Sequence, residues 1–161
     1  MEAVITNKIE GINLDKLMDI YEESNRENLS MVESDPGEKT DKNILYQKVR
    51  ASYKSYIKNE FLKDRKNRLA ILIDGEKYLA GLRIYDEGNF YLLEALETNP
   101  IYRRMGYGER LVREVLKALE KGKEIRAEVS VSNKKSLALH EEVGFKPKTK
   151  EESHWVLSIR G

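Results

Sequence analysis

The stretch Ile101-Tyr102-Arg103-Arg104-Met105-Gly106-Tyr107-Gly108-Glu109-Arg110-Leu111-Val112 decides the fold. It follows an apolar-rich run that ends at Asn99-Pro100, and it leads into a segment with helical periodicity. Two glycines one residue apart allow a sharp turn and a close approach of the backbone to a ligand. The first amides of a helix lack internal partners, and the helix dipole makes that end electropositive. The stretch therefore predicts a cradle for a phosphate or pyrophosphate, with an ordinary strand-to-helix turn as the alternative.

Length and composition predict a single folded domain that spans residues 1–161. Hydrophobic residues make up 40% of the chain and charged residues 35%, which is typical of a globular protein with a polar surface. The net charge of +1 gives no general attraction to nucleic acid or to a membrane, so neither is expected as a partner. The absence of cysteine excludes disulfides and thiolate nucleophiles. Because residues 1–7 do not resemble a signal peptide, we expect a cytoplasmic protein.

Two helical segments are predicted before the middle of the chain. Asn13 is a candidate N-cap for a helix with Leu14, Leu17, Met18 and Tyr21 on one face. Residues 22–41 are polar and acidic, with a turn at Asp35-Pro36-Gly37, and a basic helix follows over residues 41–63. Residues 15–41 hold nine acids and residues 42–68 hold nine bases, and this change of sign has two interpretations. The two helix faces partly neutralise one another, or the acids form a rim that selects a cationic substrate.

The remaining pattern predicts an α+β domain with a mixed sheet. Strands over residues 69–73, 78–85 and 90–98 form an antiparallel meander, with a hairpin at Asp74-Gly75. The helix after the glycine turn and the alternating strand over residues 125–131 imply a right-handed parallel crossover. A further helix, capped by Ser132, ends at Gly144, and a final antiparallel pair covers residues 145–149 and 154–159. The sheet is therefore antiparallel first and parallel at one junction.

A second motif gives the glycine turn its context. Arg103-x-x-Gly106-x-Gly108 is followed, after one strand, by Asn133-x-x-Ser136-x-x-Leu139-His140-x-x-x-Gly144-Phe145. This pair of motifs resembles the GNAT superfamily of acyl-CoA-dependent N-acyltransferases, most closely over residues 69–149. The resemblance implies a three-layer α/β/α fold whose mostly antiparallel sheet has a parallel strand pair at the cofactor site. It also implies acetyl-CoA as the co-substrate, and it implies no metal.

The resemblance also implies which residues bind the co-substrate. The main-chain amides from Arg104 to Glu109 would hold the pyrophosphate, and the strand backbone at residues 96–98 would pair with the pantetheine arm. Asn133 would contact that arm, or it would only satisfy the backbone at the start of its own helix. The implied cofactor-binding set is Leu96, Glu97, Thr98, Arg103, Arg104, Met105, Gly106, Tyr107, Gly108, Glu109 and Asn133.

The chain departs from the family pattern at His140, where the second motif usually has a tyrosine that protonates the departing thiolate. A histidine can also be a general acid, so His140 is one candidate for this role. The alternative is that it only packs on its helix. For the base that deprotonates the amine we favour Glu94 over Glu97. Strand alternation places these two carboxylates on opposite faces unless a bulge intervenes.

These residues predict an N-acetyltransferase in which a primary amine, of a small molecule or a peptide, attacks the thioester directly. The expected oligomeric state is a monomer or a homodimer. An alternative from another class is a GNAT-fold module that binds acyl-CoA or a partner protein without turnover. A nucleotide-binding domain is disfavoured, because no Gly-Lys-(Ser or Thr) follows the glycines and a meander precedes them.

Overall fold

The structure is a computed structural model, and it describes residues 1–29 and 41–160. Its strands are β1 (Glu2–Thr6), β2 (Arg68–Asp74), β3 (Lys77–Asp86), β4 (Phe90–Thr98), β5 (Glu124–Ser130), β6 (Lys146–Lys150) and β7 (His154–Arg160). Its α-helices are α1 (Leu14–Ile20), α2 (Glu22–Glu27), α3 (Lys42–Tyr56), α4 (Tyr107–Ala118) and α5 (Lys134–Val143). A π-helical turn, Ile57–Phe61, continues α3, and a 3-10 turn, Pro100–Tyr102, precedes α4.

The strands form one mixed sheet in the order β1-β2-β3-β4-β5-β7-β6. Only β4 and β5 are parallel among these neighbours, and α4 makes the crossover between them. The sheet therefore confirms the predicted fold class, with an antiparallel meander followed by one parallel junction. The final strand β7 lies between β5 and β6, so the predicted C-terminal pair extends the sheet beyond β5.

Helices cover both faces of the sheet, as the three-layer prediction requires. On one face α4 buries its apolar stripe against the central strands, and the residues that do so are Leu111, Val112 and Val115. On the other face α1 and the π-helical turn after α3 form a second core, which includes Leu17, Met18, Ile20, Ile57 and Phe61. Burial of these two stripes holds the helices against the sheet, because removal of apolar surface from water is the main favourable contribution to folding.

The N-terminal region differs from the prediction in one helix. The polar stretch after Tyr21, to which the sequence analysis assigned no helix, begins with α2. Its residues have no apolar stripe, and its buried side chain is the polar Asn25, so hydrophobic periodicity gave no sign of a helix. The predicted turn at Asp35-Pro36-Gly37 lies outside the described residues.

Ion pairs join the acidic α1 to the basic α3. Arg50 lies 3.0 Å from a carboxylate oxygen of Asp19, and the Lys54 ammonium lies 2.7 Å from Asp15. Part of the acidic stretch therefore neutralises the basic helix, in agreement with the first interpretation of the charge pattern. Of the carboxylates of α2, Glu22 pairs with Arg26 of the same helix, and Glu23 pairs with Arg103 ahead of α4.

A β-bulge interrupts β4 close to its end. Arg83 of β3 pairs with Glu94, and Gly81 pairs with Glu97, so β4 has one residue more than β3 across this interval. Ala95 takes up the extra length with a left-handed φ of 55°, and its carbonyl accepts a hydrogen bond of 2.9 Å from the Tyr21 hydroxyl. Because of this extra residue, the side chains of Glu94 and Glu97 lie on the same face of the sheet.

We expect Tyr21→Phe to destabilise the fold by about 1–3 kcal/mol, because it removes the donor that the part-buried Ala95 carbonyl uses. Tyr102→Phe is the matched control, since the Tyr102 hydroxyl has no hydrogen-bond partner in residues 1–29 and 41–160. Urea unfolding of both variants measures the difference. Equal losses of stability would show that the hydroxyl does not support the bulge.

Candidate active site

The glycine turn lies at the start of α4 with an open face. Gly106 is the N-cap residue in the left-handed conformation, with φ 77°, and Arg104 is also left-handed, with φ 65°. No side chain caps this end among the described residues, so the first amides of α4 are available to a ligand. A Cβ atom on Gly106 would meet no atom within 4 Å, so the space in front of the turn is free. These features fit the predicted anion cradle.

Gly108 has a different role, because it packs against neighbouring elements of the protein. A Cβ atom there would lie 3.3 Å from the Thr98 hydroxyl and 3.4 Å from a methyl group of Leu139. The missing side chain therefore lets the first turn of α4 pack closely against the end of β4 and against α5. The two glycines of the motif thus serve conformation and packing respectively.

Three adjoining cavities form a groove that begins at the glycine turn. The first, of about 770 Å³, is lined by the turn and by α5. The second, of about 440 Å³, follows the end of β4 and shares Thr98, Gly108 and Leu139 with the first. The third, of about 300 Å³, shares Leu96, Glu97, Asn133 and Ser136 with the second. Of the predicted site residues, all but Met105 line this groove, and Met105 is exposed outside it.

The third cavity lies where β4 and β5 diverge. Their parallel pairing runs from Phe90 opposite Glu124 to Leu93 opposite Ala127. Beyond this point residues 94–97 of β4 and 128–130 of β5 line the cavity from two sides. At the end of β4, one edge still pairs with β3, whereas the edge toward β5 faces the groove. An extended ligand could pair with this open edge.

Asn133 caps α5. Its side-chain oxygen accepts a hydrogen bond of 3.1 Å from the Ser136 amide, so Asn133 and not Ser132 is the N-cap. The residue also lines the second and third cavities. The two roles proposed for it from the sequence are therefore compatible, since the cap uses the oxygen and leaves the amide nitrogen for another contact.

Glu94 and Glu97 line the same cavity, because a bulge intervenes between them, which is the exception that strand alternation allows. Glu94 lies 3.5 Å from the Arg83 guanidinium, and burial raises the pKa of its carboxyl. Glu97 accepts a hydrogen bond of 2.8 Å from the Ser24 hydroxyl. Burial raises the pKa of Glu97 to about 7, close to the value that suits a general base.

His140 lines the third cavity but is only 3% exposed. Its Nδ1 lies 2.7 Å from the Ser136 carbonyl oxygen, and its ring packs edge-on against Phe145. A carbonyl only accepts, so Nδ1 carries the proton, and Nε2 of the neutral ring is an acceptor. Burial also lowers the pKa of His140. Because an acid role needs a proton on Nε2, these contacts favour the packing alternative.

Among the residues that line the third cavity, sequence reasoning missed the polar side chains of Ser24, Glu27 and Glu128. Ser24 and Glu27 belong to α2, whose polar sequence shows no periodicity. Glu128 lies on β5 between the buried Ala127 and Val129, so strand alternation could have predicted that its side chain points away from theirs.

In residues 1–29 and 41–160, no cluster of three or more acidic or histidine side chains could hold a metal ion. None of the described helices has the length and apolarity that a membrane crossing requires.

Residues 15–145 match the sequence model of the acetyltransferase (GNAT) family. The chain therefore belongs to the GNAT acetyltransferase family, as its two motifs predicted. No curated protein matches the chain.

Solved structures of acetyltransferases share the fold. The PaiA N-acetyltransferase of Thermoplasma acidophilum, in complex with coenzyme A, has a TM-score of 0.72 and 20% identity, with 100% of each chain covered. An aminoglycoside 6'-acetyltransferase type Ii has a TM-score of 0.69 and 12% identity, over 99% of this chain and 97% of the other. The Campylobacter jejuni N-acetyltransferase PseH, in complex with acetyl coenzyme A, has a TM-score of 0.61 and 12% identity, with coverage of 99% and 97%.

We expect His140 to be a neutral imidazole with its proton on Nδ1 and a pKa below the usual 6.5. Nitrogen-detected NMR across a pH titration reports the tautomer and the pKa directly. The chain has two histidines, so His154 gives the second set of imidazole signals. The set that disappears in His140→Gln belongs to His140. A His140 ring that is protonated near neutral pH would contradict the geometry and restore the acid role.

Proposed function

We propose that this protein is an acetyl-CoA-dependent N-acetyltransferase that acts on a primary amine of a small molecule or a peptide. The observation that carries the proposal is the continuous groove, which joins the open amides of α4 to the two carboxylates where β4 and β5 diverge. The CoA and acetyl-CoA complexes of the two structural neighbours support it. Bound acetyl-CoA would supply an acetyl group activated as a thioester.

The groove offers acetyl-CoA the contacts that its parts require. Pyrophosphate needs several convergent N–H donors, which the amides at the start of α4 provide together with Arg103 and Arg104. The backbone of residues 96–98 would pair with the amides of the pantetheine arm, and the Asn133 side chain would contact the same arm. These residues would therefore hold the thioester end toward the third cavity.

Glu97 is better placed than Glu94 to accept the proton of the incoming ammonium group. An amine must be neutral before it attacks, so a base with a pKa near neutrality has to receive that proton. Arg83 holds Glu94 in an ion pair, which favours its ionised form, whereas Glu97 has a neutral hydroxyl as its partner. We therefore propose Glu97 as the base. The ion pair of Glu94 and Arg83 would contribute to the electrostatic field of the site without accepting the proton. With no cysteine in the chain, direct attack by the amine replaces an acyl-cysteine route.

Gly106→Ala should weaken CoA binding by about tenfold or more. A methyl group there would occupy the open space in front of the cradle, and each charge-assisted hydrogen bond that is lost costs about 1.5–3 kcal/mol. Gly122→Ala is the matched control, because Gly122 also has a φ near 80° and open space around it but does not line the groove. Calorimetric titration with CoA measures both. Equal CoA affinity in the two variants would show that the pyrophosphate does not bind at the glycine turn.

Glu97→Gln should lower kcat/KM by about 10²–10⁴-fold, and Glu94→Gln by less. In the parent, kcat/KM should rise with pH through about 7, because the base acts in its ionised form. Glu94→Gln should keep this limb, and Glu97→Gln should lose it. The assay detects the CoA thiol released from acetyl-CoA with a panel of amines. The opposite pattern would make Glu94 the base, as the sequence first suggested.

Thermal unfolding gives an independent readout of the Glu97 carboxyl. Its pKa is raised above the ordinary 4.5 in the folded protein, so the folded state binds an extra proton between about pH 4.5 and 7. The contribution of Glu97 to stability therefore declines as pH rises through this window, and Glu97→Gln should remove that decline. A parent protein that binds CoA tightly but acetylates no amine would be the binding module and not the enzyme.

A further inference from the structure

Arg83 lies among aromatic rings on the side of β3 that faces the π-helical turn. Its guanidinium carbon lies within 6.0 Å of the centroids of four rings, and these are Tyr53, Tyr56, Phe61 and Tyr85. We call these four rings the aromatic cage. The Nη1 atom of Arg83 also donates a hydrogen bond of 3.4 Å to the Tyr53 hydroxyl. Because the side chain is only 16% exposed, these contacts hold a charged group at one position inside the protein.

Two separate parts of the chain supply the aromatic cage. Tyr53 and Tyr56 lie about one turn apart on α3, and the π-helical turn that follows brings the buried Phe61 to the same side. A π-helical turn holds one residue more than an α-helical turn, and such turns are frequent at functional sites. Tyr85 follows Arg83 by two residues on β3, so both side chains lie on the same face of the sheet. The helix and the strand thus enclose Arg83 together.

From the aromatic cage, Arg83 contacts a carboxylate of the third cavity. Arg83 is opposite Glu94 in the register of β3 and β4, and its Nη2 atom lies 3.5 Å from a Glu94 carboxylate oxygen. Among the described residues, no lysine or arginine lines the third cavity, and Arg83 itself is not part of the lining. Arg83 therefore acts on the chemistry through the carboxylates and not by contact with a ligand.

The position of Arg83 is unfavourable for stability alone. Its Nε atom is buried and has no hydrogen-bond partner in the described part of the chain. An aliphatic side chain among the same rings would avoid both this unpaired donor and the removal of a charge from water. A local arrangement that lowers stability beside a candidate catalytic residue is typical of a functional role.

Arg83 is the cation that Glu94 and Glu97 share. Burial raises the pKa of each carboxyl, and the positive charge of Arg83 opposes this effect at both residues. The other titratable groups around the two carboxyls are Tyr21 of α1, Glu27 of α2, Tyr53 of α3, Glu87 before β4, Glu128 of β5 and His140 of α5. Each of these groups is neutral or negative at neutral pH, so none of them favours the loss of a proton from the two carboxyls.

Two further groups favour the ionised form of Glu97 or lie close to it. The Ser24 hydroxyl donates a hydrogen bond to the Glu97 carboxylate, which lowers its pKa. Glu97 also borders the second cavity, where the cations are Arg103, which pairs with Glu23, and Lys135. Of the cations around Glu97, Arg83 has the largest effect on its pKa. Loss of the Arg83 charge should therefore raise the pKa of both carboxyls.

We infer that Arg83 is a positioning residue for the transfer of the amine proton. Held in the aromatic cage, it fixes the Glu94 carboxylate by an ion pair and supplies the positive charge that keeps both carboxylates of the strand ready to accept a proton. The proton moves from the ammonium nitrogen of the acceptor to a Glu97 carboxylate oxygen, and Arg83 neither gives nor takes one. This inference rests on the proposed function, because it concerns the base of that reaction.

Arg83→Met should shift the pH dependence of kcat/KM to higher pH, because it removes the charge and keeps an unbranched apolar side chain among the rings. On one amine, the ratio of parent to variant kcat/KM should be about three- to tenfold at about pH 7 and should decline toward one by about pH 9.5. The use of one amine cancels the ionisation of the substrate. Arg83→Lys keeps a positive charge, so its ratio at the lower pH should be smaller. A ratio for Arg83→Met that is the same at every pH would overturn the inference, since a loss of packing does not depend on the ionisation of a carboxyl.

A matched pair of variants tests the aromatic cage. Tyr56→Leu removes one ring from the guanidinium, whereas Tyr56→Phe keeps the ring and removes only a hydroxyl, which lies 3.0 Å from that of Tyr85. Tyr56→Leu should lower kcat/KM about two- to threefold at about pH 7 and by less at about pH 9.5, because a less constrained Arg83 holds Glu94 less well. Tyr56→Phe should follow the parent profile. Identical pH profiles for the two variants would overturn the role of the ring.

A titration without turnover separates this inference from the proposed function. Carbon-13 NMR of the glutamate carboxyls follows each pKa directly, and the signals that disappear in Glu94→Gln and Glu97→Gln identify the two residues. Both carboxyls should titrate at higher pH in Arg83→Met than in the parent, and Glu94 should move more because it is the ion-pair partner. Unchanged titration curves would overturn the inference and leave the proposed function intact. If the curves shift but no amine is acetylated, the electrostatic role of Arg83 holds and the proposed function fails. Circular dichroism confirms that each variant is folded, and Arg83→Gln replaces Arg83→Met if that variant is not.

Discussion

The bulge at Ala95 determines how the chemistry of this protein is arranged. A regular strand would direct Glu94 and Glu97 to opposite faces of the sheet, where they could not share a cavity. One extra residue in β4 brings both carboxylates to the face that α1 and α2 cover. The Tyr21 hydroxyl, from the end of α1, holds the carbonyl of the bulged residue. The N-terminal helices therefore set the geometry of the strand as well as covering it.

The same region of β4 connects the two ends of the groove. Pairing with β5 stops at Leu93, so the strand that carries the carboxylates is also the strand whose backbone faces the groove. Gly108 brings the start of α4 against Thr98 at the end of this strand. The anion cradle and the carboxylates are thus fixed to one element. A ligand that reached from the cradle along β4 would end beside Glu97, which is the arrangement that acyl transfer from a CoA thioester requires.

Electrostatics distinguishes residues that look equivalent in the sequence. Arg83 pairs with Glu94, whereas Ser24 contacts Glu97, and because of this difference in partners we propose Glu97 as the base. His140 replaces the usual tyrosine of the family motif, but its Nδ1 proton is committed to the Ser136 carbonyl. Proton donation to the departing thiolate therefore falls to water or to another group in our proposal. In each case the partner, and not the residue type, decides the role.

The sequence by itself determined the family, the order of the strands along the chain, the glycine turn before α4 and the N-cap of α1 at Asn13. These features depend on residues close together in the chain, because a left-handed glycine, an N-cap and a hydrophobic period are local constraints. The tertiary structure decided the helix α2, the common face of Glu94 and Glu97, and the burial of His140. The bulge depends on a contact between residues that are 74 positions apart, and burial of His140 depends on packing against Phe145 after the helix has ended. Periodicity carries no information about such contacts, since they arise only when separate elements pack together.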